Sequence, residues 1–400
     1  MRYSILSLLL VLSLCTGVRA QKAITVTDMQ TWNRIQDAQI GADGNYVLYT
    51  LEQDVGDPTV VLYNVKTRAE RRFPNLYRAT LTYDGKHLIG LEKPARDTVK
   101  AIKLREKKKA KKILAEKNRL LVWNLSEKVA QYHAPVYDFK VADRHAGLYA
   151  YTTATALPDS LRGGLDKDAH RLLVRNFTDK DSFYLEGVKQ FMVARDAPVV
   201  LAHQMARDSS WAEGVLRLDT ESLRWQTLSA DAGAYTDLAL SHAGDKVAFL
   251  TSDPKSRDKQ KPHDLFLWED GNERAALLTE NTAGWLPVGQ RISADRTPRF
   301  SDNGNYLYFG LAPQRPESDT TLLDEEIADV EVWRTEDPRL YTQQNVRLSR
   351  DSRQTYLSVY RINREDFLPL ATPEMPYEYL PRGADGPWIA LYDNRPFLKE

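Results

Sequence analysis

Residues 301–309 read SDNGNYLYF, and the same phrase recurs at 42–49 (ADGNYVLY), 82–89 (TYDGKHLI) and 241–249 (SHAGDKVAF). Each copy is a polar turn centred on a glycine, namely Gly44, Gly85, Gly244 and Gly304, followed by a short run in which apolar residues alternate. Glycine enters positive-φ backbone without a Cβ penalty, and an Asp or Asn beside it hydrogen-bonds the local main chain. The alternation that follows is that of a half-buried strand.

A second phrase follows the first. VVLYNVKTRAERRF (60–73), LLVWNLSEKVAQY (120–132), LLVRNFTDKDSFYL (172–185), GVLRLDTESLRWQTL (214–228) and DLFLWEDGNERAALLT (264–279) each read as an apolar strand, a polar turn and a second strand. The combined unit is turn, strand, loop, strand, turn, strand, with a period of about 40 to 60 residues. A unit of this kind cannot bury both faces alone, so its copies must stack on one another. The expected fold is all-β, a β-propeller of about seven blades with its closure undecided. Blades are expected near 37–75, 76–134, 135–186, 187–230, 235–280 and 296–342, with a further one starting near 345. Residues 25–36 suit a closing strand or a short leading helix. Trp123, Trp268 and Trp333 fall at matching places in hairpin strands, where packing between blades is the expected role.

One stretch breaks the pattern. ARDTVKAIKLREKKKAKKILAEKN (95–118) lacks glycine, has few β-branched residues and predicts a helical excursion inside one blade. Its lysines at 107–109 and 111–112 suit first a solvated face, with a patch for anionic partners as the sharper alternative. Nucleic acid is disfavoured there because no aromatic platform is interleaved. Further polar excursions at 153–169, 253–263 and 312–328 are the kind that form a functional rim on a rigid scaffold.

The 400 residues carry 55 basic and 55 acidic side chains, so bulk charge gives no reason to expect nucleic acid or an anionic membrane as partner. At the N-terminus, Arg2, the apolar run Ile5–Leu14 and Val18-Arg19-Ala20 read as an export signal over residues 1–20. This places residues 21–400 in the propeller domain and the protein in the periplasm or secreted. The apolar run is short for a membrane span, and no other span is expected. Cys15 is the only cysteine, and Leu14 before it is too large for a usual lipidation box. A mature chain without cysteine excludes disulfides and a thiolate zinc site.

The chain lacks a G-x-S-x-G elbow, an H-E-x-x-H helix and a Walker A loop. No catalytic residue, metal ligand or cofactor is assigned. Glu325-Glu326 are the candidate ligand-binding residues: paired carboxylates on a rim suit a peptide N-terminus through charge-assisted hydrogen bonds, although their ordinary role is a solvated acidic turn before the expected strand at 329–333.

DNGNYLYFG (302–310), EEIADVEVWRTEDPRLYTQQ (325–344) and LYDNRPFLKE (391–400) resemble the propeller region of secreted S9-type (prolyl oligopeptidase-like) serine peptidases, especially the large forms of Bacteroidota. The middle phrase is the most specific, and the resemblance runs over residues 22 to 400. It implies peptide substrates, a propeller that restricts access, and a C-terminal α/β-hydrolase domain carrying a Ser, Asp and His triad. No triad position transfers to this chain, which is expected to be inactive alone and to continue beyond Glu400. The alternative is a non-enzymatic envelope protein whose propeller rim binds peptide, glycan or protein.

Overall fold

The computed structural model describes residues 23–157, 166, 168–177, 182–207, 210–222, 224–256, 261–314, 334, 337 and 339–398. A short helix, Val26–Gln30, opens this region and settles the two readings of residues 25–36. Thr25 caps it, its hydroxyl accepting from the Asp28 N–H while the Asp28 carboxylate accepts from the Thr25 N–H.

Antiparallel meanders in sequence order follow. Blade 1 consists of Arg34–Ile40, Tyr46–Glu52, Thr59–Asn64 and Glu70–Pro74; blade 2 of Leu76–Leu81, His87–Glu92, Arg119–Asn124 and Ala130–His133. Blade 3 is Asp138–Val141, Leu148–Thr153, His170–Asn176 and the first half of the long strand Ser182–Val193. The second half of that strand bends at Gly187 and becomes the first strand of blade 4, with Val199–Gln204, Gly214–Asp219 and Arg224–Ala230. Blade 5 is Ala234–Leu240, Lys246–Ser252, Asp264–Glu269 and Ala276–Thr279.

Blade 6 corrects the sequence reading. Its first strand is split into Gln290–Ser293 and Arg299–Phe300, and its second is Tyr306–Pro313. Its third, Tyr356–Arg361, pairs with the second across the insertion at 314–355, and Asp366–Pro369 is its fourth. The sixth blade therefore ends at 369, not near 342. No blade starts near 345, which lies in the helix Tyr341–Asp351. A hairpin of Tyr377–Tyr379 and Ala390–Tyr392 follows as the start of a seventh unit. The expected strand at 329–333, with Trp333, lies outside the described residues.

The recurring phrase folds as it does for local reasons. Gly44, Gly85, Gly244 and Gly304 all have φ between 65 and 72°. Asp43, Asp84 and Asn303 each accept the N–H two residues on, at 3.0, 3.1 and 2.9 Å. The hydroxyls of Thr82, Ser241 and Ser301, all buried, accept the N–H five residues on, at 3.0, 2.9 and 3.1 Å. Each turn thus closes on its own residues.

The core lies between blades. Leu48, Val60 and Leu62 of blade 1 meet Leu88, Leu121 and Trp123 of blade 2. The opposite face of blade 2, Ile89, Leu91 and Leu120, meets Phe139, Tyr149 and Tyr151 of blade 3. The alternation continues through Val174 with Val200 and Leu201 with Phe249, then Leu250 with Phe309. Every inner sheet has an apolar layer on both faces, which defines radially stacked blades. The protein is a β-propeller. Trp123 and Trp268 lie in these layers, both buried, each under a guanidinium (Arg71 at 3.8 Å, Arg217 at 5.1 Å). The excursion at 95–118 is helical, as Arg96–Glu106, a 3₁₀ turn Lys107–Lys109 and Ala110–Ala115, held down by buried Ile102 and Ala110 with its lysines at 107–109, 111 and 112 exposed. No helix among the described residues is long and apolar enough to cross a membrane.

Candidate functional site

In a four-stranded meander the links between strands 1 and 2 and between strands 3 and 4 emerge at one end. The link between strands 2 and 3 and the step to the next blade emerge at the other. The glycine turns occupy the first end. The long excursions at 93–118, 154–169, 205–213, 253–263 and 314–355 all join strands 2 and 3 of their blades. The strand ends they join therefore lie on one face of the propeller, and the described links at the opposite face are short turns. Rim excursions were expected from sequence; their convergence on one face comes from the strand order.

The first strands of adjacent blades carry the links that border this face. Three of them are broken by the same bulge, with Asp37, Arg78 and Asp237 at φ 50, 53 and 50°. The bulge turns polar side chains toward the neighbouring blade. Arg78 donates to Asp138 at 2.6 Å and to the Phe139 carbonyl at 2.8 Å. Thr80 donates to the Gln39 side-chain oxygen at 3.1 Å, and Thr297 donates to Asp237 at 3.0 Å. Arg296 of blade 6 donates from Nη1 to Glu378 of the terminal hairpin at 2.7 Å and from Nε to Thr355 at 3.0 Å.

Two clefts open beside blade 6 on the insertion face and share Asp295. The smaller, about 120 Å³, lies against blade 5 and is lined by Lys261, His263, Arg291 and Asp295 among others. Arg291 is buried. Burial holds the His263 imidazole below its ordinary value, against the pull of Asp237. The larger cleft, about 430 Å³, lies between blade 6, the helix Tyr341–Asp351 and the terminal hairpin. Arg296, Arg347, Arg350 and Arg353 line it with Asp295, Asp351 and Glu378, and Tyr377 and Tyr392 stack at 5.4 Å on its wall. Asp295 is fixed by Ser293, whose hydroxyl donates to the carboxylate at 3.2 Å. The two clefts form a band of six cationic side chains and the His263 imidazole, interspersed with three carboxylates. Such a lining suits a ligand bearing a negative group within a largely neutral frame.

On the opposite face, Arg195 of blade 4 donates to Asp302 of blade 6 at 3.1 Å, and His242 of blade 5 lies 3.4 Å from the same carboxylate. The Arg195 guanidinium holds the Asp302 carboxyl below its usual range. This cluster ties three turns together and opens onto no excursion.

Glu325 and Glu326 lie outside the described residues, within the insertion that ends in the helix Tyr341–Asp351. Sequence reasoning missed the arginines. Their signal was present in NVRLSRDSR (345–353), where Arg347 and Arg350 stand three apart on one helical face. Arg296, Tyr377 and Glu378 have no such local mark. Among the described residues, no group of three or more His, Cys, Asp or Glu is placed to hold a metal ion.

No family model matches this chain, and no curated protein matches it. Solved structures similar to it include the β-propeller domain of the Trilobed protease from Pyrococcus furiosus, at 10% identity and TM-score 0.39, covering 86% of this chain and 84% of that one. Acylaminoacyl peptidase from Pyrococcus horikoshii is similar at 9% identity and TM-score 0.38, covering 70% of this chain; the aligned part is 43% of the peptidase. An oligogalacturonate lyase in complex with manganese is similar at 14% identity and TM-score 0.37, covering 70% of this chain and 74% of the lyase. These are likenesses of fold, and the activities remain those of the named proteins.

Proposed function

We propose that this chain is the substrate-admitting propeller of a secreted S9-type serine peptidase acting on peptides, with the catalytic triad in a C-terminal α/β-hydrolase domain of the same polypeptide. The observation that carries the reading is the gathering of every long excursion onto one face, where two charged clefts open beside the first strands. A propeller that admits extended peptides and turns away folded proteins needs such a decorated mouth on a rigid stack. The phrase at 325–344 supports the family, and the absent G-x-S-x-G elbow supports a chain that positions substrate and leaves bond cleavage to a partner domain. Residues 1–20 would direct export and be removed. Glu325-Glu326 would hold the peptide's ammonium end from the insertion of blade 6.

The test is the intact mass of the protein in its native source, combined with labelling by a fluorophosphonate, which marks activated serines. A labelled species well above 45.7 kDa is expected. An unlabelled species near the mass of this chain overturns the peptidase reading and leaves a free-standing binding propeller.

A further inference from the structure

We propose that the 430 Å³ cleft between blade 6, the helix Tyr341–Asp351 and the terminal hairpin binds the carboxylate of a peptide, with Arg350 and Arg353 as its recognising groups. The inference does not depend on the peptidase reading, because it rests on the cleft's own charge arrangement.

Two of the four arginines are already neutralised. Arg296 is paired with Glu378 at 2.7 Å, and Arg347 lies 3.8 Å from Asp351, which Arg339 also approaches at 3.4 Å. Arg353 directs its donors to neutral oxygens, the Ser349 hydroxyl at 2.9 Å and the Ser349 carbonyl at 3.2 Å, and no carboxylate among the described residues pairs with it. Arg350 has no side-chain partner among the described residues and is exposed at the cleft.

The ordinary role for arginines at a helix C-terminus is to satisfy the last carbonyls. Arg353 does this for the Ser349 carbonyl alone; the carbonyls of Leu348, Arg350 and Asp351 are served by backbone groups. The Ser352 N–H donates to Leu348 at 2.8 Å, the Arg353 N–H to Arg350 at 3.0 Å, and the Gln354 N–H to Asp351 at 3.3 Å. Capping leaves the Arg350 guanidinium unused.

The surrounding groups select among anions. A guanidinium fork matches a planar carboxylate with two parallel hydrogen bonds. Asp295, Asp351 and Glu378 line the same space, so a dianionic phosphate meets more repulsion there than a monoanion does. The stacked Tyr377 and Tyr392 offer an apolar wall for the side chain next to the carboxylate. The volume lies within the range of about 300–1,000 Å³ usual for small-ligand sites.

The experiment uses the purified 400-residue chain and calorimetric titration with four probes. These are an N-acetylated tripeptide with a free C-terminal carboxylate, its C-terminal amide, an acetylated and amidated peptide with an internal Glu, and inorganic phosphate. One or both carboxylate peptides are expected to bind, which identifies the source of the carboxylate, with the neutral amide at least about tenfold weaker. Loss of one charge-assisted hydrogen bond is worth about tenfold, so Arg350→Gln is expected to weaken the carboxylate peptide by that factor while leaving the melting temperature unchanged. Arg353→Gln should act in the same direction, and added salt should weaken binding throughout. Equal binding of amide and acid, phosphate binding tighter than either carboxylate, or full affinity in a folded Arg350→Gln protein would each overturn the proposal.

Discussion

Two glycines of blade 6 fail for opposite reasons when a methyl group is added. Gly304 has φ of 70° and open space around its missing Cβ, with only the end of Lys246 nearby at 3.7 Å. Gly310 has no positive φ, yet a Cβ there would stand 2.6 Å from the Arg296 Cβ and 3.1 Å from the Thr355 Cβ. Gly304→Ala is therefore a backbone penalty of about 1–2 kcal/mol, and Gly304→Asn should recover much of it because Asn tolerates that conformation. Gly310→Ala is a steric penalty of about 1–3 kcal/mol, and no small side chain relieves it. Urea unfolding midpoints separate the two cases: Asn must rescue position 304, and Ser at 310 must be no better than Ala. Only the first glycine was legible in the sequence, because a turn is written in four neighbouring letters. The demand for Gly310 comes from Arg296, in the break of the first strand, and Thr355, just before the third. Gly90 of blade 2, where a Cβ would meet Leu76 at 2.9 Å, was hidden in the same way.

At the scale of elements, the helical insertion of blade 2 should be dispensable to folding. Its buried side chains are Ile102 and Ala110, and its start is tied by the Arg96 N–H donating to Asp57 at 2.8 Å. The strands it joins pair directly at its base, Glu92 opposite Arg119. A tight Gly-containing turn in place of residues 94–118 can thus close the same hairpin at little entropic cost. The shortened protein is expected to melt within a few degrees of the parent, with the near-ultraviolet dichroism of the core tyrosines kept; loss of cooperative melting would show that the insertion is structural. By contrast, Leu201→Ala, at a fully buried position between blades 4 and 5, should cost about 2–5 kcal/mol. The same insertions explain where the sequence misled. Blades 1 and 5 were placed within a few residues because their turn and hairpin phrases lie close together, and blade 2 because its insertion reads as a helix between two strands. In blade 6 the insertion at 314–355 separates Tyr306–Pro313 from its partner strand Tyr356–Arg361, so the hairpin was read as two different blades.

Across the whole molecule, the stacking of blades draws together groups that no local pattern connects. The larger cleft takes Arg296 from the break in a first strand, Arg350 and Arg353 from the end of an insertion, and Tyr377 and Glu378 from the next hairpin. A reading of local pattern sees a scatter of ordinary surface arginines. The same stacking buries imidazoles between blades. His87 of blade 2 lies on the ring of Phe177 at 4.6 Å, and His170 of blade 3 on Tyr137 at 4.2 Å. Burial holds both below the ordinary imidazole value, although Asp84 and Asp168 pull the other way. Burial does the same to His203, opposed by its partner Glu213, and to His263. The unfolded chain, with imidazoles near about 6.5, takes up protons before the folded one does. Stability is therefore full above that value and is lost as pH falls from it toward the folded values. Carboxylates held low in the fold, such as Asp302 and Asp43, release their contribution only in the more acidic range below about 4. The two sets of groups occupy separate windows. Melting temperature should hold between pH 8 and 7 and fall between about pH 6.5 and 5, above the range in which carboxylates held low, such as Asp302 and Asp43, take up protons. The His87→Gln/His170→Gln double variant will start from a lower melting temperature, so the deciding quantity is its slope with pH, which should be shallower than that of the parent. A parent protein whose melting temperature stays flat down to pH 5 would mean that these imidazoles reach solvent between the blades, and that the layers joining blades 2 and 3 are looser than their packing implies.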